Sequence, residues 1–208
     1  MGSCHSPRGH PTRLARSARP ITPDFVATNL LKIMARIPYF DLNQASPAIK
    51  DLVSSRPPLN IYRMVAHGGP TAEGFLTLGT ALLRKSELNP QLRELVILRV
   101  GALCGAAYEV FQHRRVATHE GVSSEKIEAV LSRTDTEPDS EIFTRLEMDA
   151  LRYTDAVVRQ VKAPVELFRA LEDSLSHKQL VEITTLIGFY MLVSRFLENF
   201  EVDIESPV

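Results

Sequence analysis

The chain has 208 residues, 44% of them hydrophobic and 24% charged, which fits one globular domain with a core and at most an appendage. Lys and Arg number 24 against 25 Asp and Glu, so the net charge of −1 supplies no global field for nucleic acid or an anionic membrane. Two cysteines, Cys4 and Cys104, cannot build a disulfide framework and point to a reducing, cytoplasmic setting. The longest uncharged apolar run, Ile183 to Ser194, falls short of the ~18 residues of a membrane span.

The near-neutral total averages two unlike parts. Residues 1–33 hold Arg8, Arg13, Arg16, Arg19 and Lys32 against Asp24, a net of +4, which leaves −5 on residues 34–208. With Pro7, Pro11, Pro20 and Pro23 and little apolar periodicity, this start reads as a disordered leader or upstream extension, with Met34 as the working start of the fold. Its composition also fits a transit peptide or a basic arm for a partner. Met1 to Ser6 fits the loose myristoylation pattern.

From Met34 onward the pattern predicts helix after helix, an all-α domain over 34–208. Ser46-Pro47 opens a short helix through Val53, and Asn60 caps a second from Ile61 to His67, closed by Gly68-Gly69-Pro70. Thr71 opens a third with Phe75, Leu78, Leu82 and Leu83 on one stripe. Asn89-Pro90 starts a helix through Leu103, and Ala106 to His119 follows a break at Cys104-Gly105. Ser123 starts the next, and Thr134 to Asp139 is a polar turn. A long amphipathic helix then carries Ile142, Phe143, Leu146, Ala150, Tyr153, Val157 and Val161. A short helix begins at Pro164. Ser176 and Gln179 form a capping box for a last helix to about Phe200, apolar around much of its circumference. A helix apolar all round is central to a core or shared with a second subunit, so homo-oligomerisation is expected.

The chemistry-bearing residues fall between Asn89 and Gly121. Glu94 interrupts the apolar series Leu92, Leu95, Val96, Leu98, which places a carboxylate near a partly buried surface. Glu109 and His113 stack four residues apart on one helical face, with Tyr108 and Gln112 as a second such pair beside them. Two carboxylates and an imidazole at an apolar wall suit proton transfer, because burial raises a carboxyl pKa while a neighbouring carboxylate keeps imidazole charged. The same spacing also fits a surface ion pair worth a few tenths of a kcal/mol. No further residues nearby complete a tight metal site, so neither metal nor cofactor is expected.

The run RELVILRVGALCGAAYEVFQHRRVATHEGVSSEKIEAVL resembles the carboxymuconolactone decarboxylase-like family, which includes alkylhydroperoxidase D. The resemblance extends from about Pro38 to Phe200, through LLRKSELNPQLREL and FYMLVSRFLENF. It implies an alkylhydroperoxidase D-like helical bundle, assembly into trimers, hexamers or related oligomers, and a small-molecule substrate. Neither nucleic acid nor membrane is expected as a partner.

In the family's peroxidase branch a glutamate is followed by Cys-x-x-Cys-x-x-x-His. Glu94 matches that glutamate and His113 the histidine, but the two cysteine places are Ala106 and Glu109. The decarboxylase branch commonly has Glu at the second place, as here. The resemblance therefore favours acid–base chemistry, such as decarboxylation of a small organic acid or lactone. His113 is the expected proton donor, Glu109 its orienting partner and Glu94 a relay or second acid. Tyr108 is expected to bond to substrate and Arg99 to meet a substrate carboxylate.

Peroxidase work needs a thiolate and a resolving thiol. Cys104, the lone redox candidate in the domain, lies two residues before the first slot, about 200° away on a continuous helix. A peroxiredoxin-type activity through Cys104 and a non-catalytic oligomeric binding protein are the alternatives.

Overall fold

The computed structural model describes residues 35–132 and 134–205. The leader reading of residues 1–33 lies outside them. Nine α-helices and no strand occur among the described residues: α1 Pro47–Ser54, α2 Asn60–Val65, α3 Pro70–Arg84, α4 Pro90–Cys104, α5 Ala107–His119, α6 Ser124–Ser132, α7 Arg145–Gln160, α8 Val165–Glu172 and α9 His177–Phe200. The expected all-α class holds.

Helix α4 is the hub, packed against α5, α6, α7 and α9. Every residue from Leu92 to Gly101 is buried, because two cores share this helix. Leu92, Val96, Ile97 and Val100 face a large core completed by α1–α3 and α9. Leu95 and Leu98 face a smaller one with Ala117, Ile127, Val130, Phe143 and Leu151. Burying each such aliphatic side chain contributes about 1.5–3 kcal/mol, so α4 anchors the fold. Its ends are set locally. The Asn89 side chain accepts from the amides of Gln91 and Leu92, and Pro90 occupies the first turn. Gly105 ends the helix at φ 67°, a left-handed conformation that glycine adopts without penalty.

Three expected boundaries move. The long amphipathic helix starts at Arg145, not Ile142, because Thr144 and Glu147 form a reciprocal capping box there. Ile142 and Phe143 sit in the preceding turn and reach the smaller core from it. Val161 lies past the helix end at φ 69° and is 88% exposed, so it is no core residue. Asn60 is the first residue of α2 rather than its cap, and its side-chain amide instead donates to Asp203 O.

Helix α9 begins at the expected Ser176–Gln179 capping box. Its length and composition alone would let it cross a membrane. In this fold Leu180, Ile183, Leu186, Ile187, Tyr190 and Val193 bury themselves in the large core. Val181 and Leu192 remain exposed.

Candidate active site

Glu94 sits in the middle of α4 with no exposed surface. A buried carboxylate is costly unless charged groups and hydrogen bonds compensate it. Arg93 Nε lies 3.2 Å from Glu94 Oε1, and His113 Nδ1 lies 2.6 Å from Glu94 Oε2. Arg93 also faces Glu120 at 3.8 Å. Glu94 is thus held between a guanidinium and an imidazole.

The other nitrogen of His113, Nε2, faces Glu109 Oε1 at 3.1 Å, one helical turn back on α5. That approach lacks hydrogen-bond geometry, and Glu109 Oε1 is buried with no hydrogen-bond partner among the described residues. Two carboxylates from two helices therefore flank one imidazole. The division of labour differs from the expected one: Glu94 makes the orienting hydrogen bond, and Glu109 supplies charge. The edge of Tyr190 closes the His113 ring from α9, with centroids 5.0 Å apart.

Gly101 lets α4 and α5 meet at this point. A Cβ there would lie 3.2 Å from Val110 Cγ2 and 3.5 Å from Glu109 Cγ.

Burial pushes the Glu109 carboxyl up, His113 pulls it down and Glu94 pushes it up again, leaving it at about 7. Burial lowers the His113 pKa, but the Glu109 charge and the hydrogen bond and charge of Glu94 outweigh it, for a net rise. A carboxyl titrating near neutrality beside an imidazole whose charged form is favoured can give and take a proton at cellular pH.

His113 and Glu109 line a cavity of about 80 Å³, together with Tyr108, Gln112, Tyr190 and Arg56. The space suits a few waters or part of a small ligand. Tyr108 Oη accepts from the Ile61 amide at 3.4 Å and donates to Glu205 Oε1 at 2.6 Å. Gln112 Nε2 donates to Glu205 Oε2 at 2.5 Å. Glu94, Glu109 and His113 thus meet, and Tyr108 lines the same cavity as Glu109 and His113.

Arg99 does not join them. It is 2% exposed, and its Nε and Nη2 pair with both oxygens of Asp155 at 2.6 Å while Nη1 donates to Val130 O and Nη2 also to Thr134 O. It ties α4 to α7 and the turn after α6, away from the cavity, which corrects the expectation that it meets substrate. Cys104 also lies elsewhere, lining a separate cavity of about 500 Å³ with Arg159, Ser194 and Glu198. His67 caps the chain at Pro38 O, 2.8 Å away, rather than facing the site.

The sequence reading missed Arg56, Tyr190 and Glu205. Tyr190 was hidden in the apolar pattern of α9, and no local signal marks Glu205. Among the described residues no group of three or more His, Cys, Asp or Glu is arranged to hold a metal ion.

An uncharacterised peroxidase-related protein from Ralstonia eutropha with an alkylhydroperoxidase D core has the same fold: TM-score 0.71, 15% identity, 83% of this chain and 93% of that one. A protein of unknown function from Agrobacterium tumefaciens gives 0.60 at 24% identity, over 68% and 96% of the two chains. The debrominase Bmp8 gives 0.65 at 17% identity, over 84% and 93%. No curated protein matches the chain in sequence.

The molecule is therefore an all-α protein of the alkylhydroperoxidase D-like fold. Residues 70–156, which carry Glu94, Glu109 and His113, match the carboxymuconolactone decarboxylase family.

Proposed function

We propose that this protein is an acid–base enzyme acting on a small organic acid or lactone, with decarboxylation as the favoured reaction. The observation that supports it is one imidazole held between two buried carboxylates, two of these three groups facing a small cavity. In a decarboxylation the bond to the leaving carboxylate breaks, CO2 departs, and its electron pair passes into the conjugated carbonyl as an enolate. Glu109, protonated at about half its sites near pH 7, delivers a proton to carbon, and solvent restores it. His113 holds positive charge beside the developing enolate, and Glu94 positions His113.

A thiol-dependent reaction finds less support, since Cys104 lines a different cavity and the two thiol slots are Ala106 and Glu109. The experiment is CO2 release from a panel of carboxylated γ-lactones and β-keto acids by the full chain. Wild type and Cys104→Ser are expected to turn over alike, and Glu109→Gln or His113→Ala to lose about 10²–10⁴-fold. Undiminished turnover in both site variants, or none by wild type across the panel, contradicts the reading; the second result favours a binding protein.

A further inference from the structure

The carboxylate of Glu205 is held by three donors. Tyr108 Oη lies 2.6 Å and the Asn60 amide 2.5 Å from Oε1, and Gln112 Nε2 lies 2.5 Å from Oε2. The Ile61 amide donates to the Tyr108 oxygen, which leaves the phenol proton to point at the carboxylate. Burial, then the bond to Glu205 and its charge, raise the Tyr108 pKa, so the phenol stays a donor.

The donors stand beside the acid–base groups. Tyr108 and Gln112 are a four-residue pair on α5, and Glu109 and His113 are the adjoining pair, one residue on. All four line the same cavity. Arg56 adds positive charge to the wall. It is held by Leu52 O, Leu76 O and Thr80, with its guanidinium over the Tyr62 ring.

The C-terminal segment does not depend on this contact for attachment. Asp203 is bound separately by Tyr39 Oη at 3.0 Å and the Ala35 amide at 3.2 Å, and its own amide donates to Tyr39 at 2.9 Å. Asn60 Nδ2 donates to its carbonyl, and Val202 is buried in the large core. Only Ile204 separates that anchor from Glu205, so Glu205 can leave the donors while residue 203 stays in place.

We propose that Tyr108, Gln112 and the Asn60 amide form a carboxylate-binding subsite of the acid–base cavity, and that Glu205 is an internal ligand which a small carboxylate molecule displaces. This rests on the reading of the cavity as the reactive site, and it narrows the substrate to acids whose retained carboxylate occupies the subsite while the reacting carbon lies against Glu109 and His113. The chain's own tail then competes with substrate.

The test uses binding rather than turnover, so it stands apart from failure of the catalytic reading. The full chain is titrated calorimetrically with butyrate, which reproduces the Glu205 side chain together with its Cα, and with neutral butyramide. Glu205→Ala and Glu205→Gln are expected to bind butyrate at least tenfold more tightly than wild type, with no gain for butyramide. Adding Gln112→Ala to Glu205→Ala should remove most of that gain, and His113→Ala should leave the gain from Glu205→Ala in place. Equal butyrate affinity in wild type and both Glu205 variants, or an equal gain for butyramide, overturns the proposal. A Glu205 that merely fastens the terminus would lower thermal stability in these variants and give that negative binding result.

Discussion

Gly101 on α4 and Glu109 on α5 are in register so that a single added methyl group would meet the acid–base site. A Cβ at Gly101 would lie 3.5 Å from Glu109 Cγ and 3.2 Å from Val110 Cγ2. The helix hub and the reactive carboxyl are therefore one packing problem.

Gly101→Ala puts two effects in opposition. Alanine gains about 1 kcal/mol in helix propensity, whereas overpacking a tight contact costs about 1–3 kcal/mol. The contact to a branched valine tip gives little, so a net loss of about 1 kcal/mol is expected in denaturant unfolding. Activity should fall further than that loss explains, because Glu109 must shift. A variant as active as wild type would show that Glu109 tolerates displacement.

Glu109 also sets a pH dependence of stability. Its pKa is raised from 4.5 to about 7 in the folded state, so between those values the native state binds more protons than the unfolded chain. Its full contribution is present below about pH 4.5 and is lost as pH rises through 7. The shift corresponds to roughly 3 kcal/mol at 1.36 kcal/mol per unit. His113, whose pKa is also raised, loses its contribution in the same direction as pH increases. Glu109→Gln should therefore flatten the decline in unfolding free energy between pH 5 and 8. A steep, wild-type-like decline in that variant would remove Glu109 as its source.

Arg99 was legible as a cation and illegible as a structural one. Removing it takes the guanidinium from Asp155 and the donor from Val130 O, while Thr134 O keeps Arg159, so Arg99→Ala should cost about 3–5 kcal/mol in urea unfolding. Ligand affinity at the cavity should persist wherever the variant remains folded. A large affinity loss with unchanged stability would return Arg99 to the site.

The apolar groove of about 630 Å³ beside the cavity, with exposed Leu78 and Leu192 at its edge, supports the proposal that a second copy of the chain packs there. Phe75 and Phe189 line both spaces, so self-association would cover one wall of the site. Light scattering should give a multiple of the monomer mass for wild type and the monomer for Leu192→Glu. Monomeric wild type at micromolar concentration would contradict this.

What the sequence carried follows from how local each signal is. Ser176 and Gln179 cap within one turn, and Glu109 and His113 share one helix face, so spacing alone places them. Glu94 meets His113 only because α4 packs on α5, a long-range contact for which the family resemblance supplied the pairing. The start of α7 was misplaced because Ile142 and Phe143 continue a helical period while belonging to a turn that reaches the smaller core. Glu205 was beyond reach, since its contact with Tyr108 spans 97 residues and no periodic pattern encodes it.

The central claim is that Glu94 and Glu109 together keep His113 protonated despite burial. Nitrogen-15 NMR of the His113 ring across a pH titration measures this directly. Both ring nitrogens should carry protons at pH 6.5 and lose one only at higher pH, with the midpoint falling in Glu94→Gln. A neutral His113 ring at pH 6.5, or a midpoint unmoved by Glu94→Gln, would contradict the account.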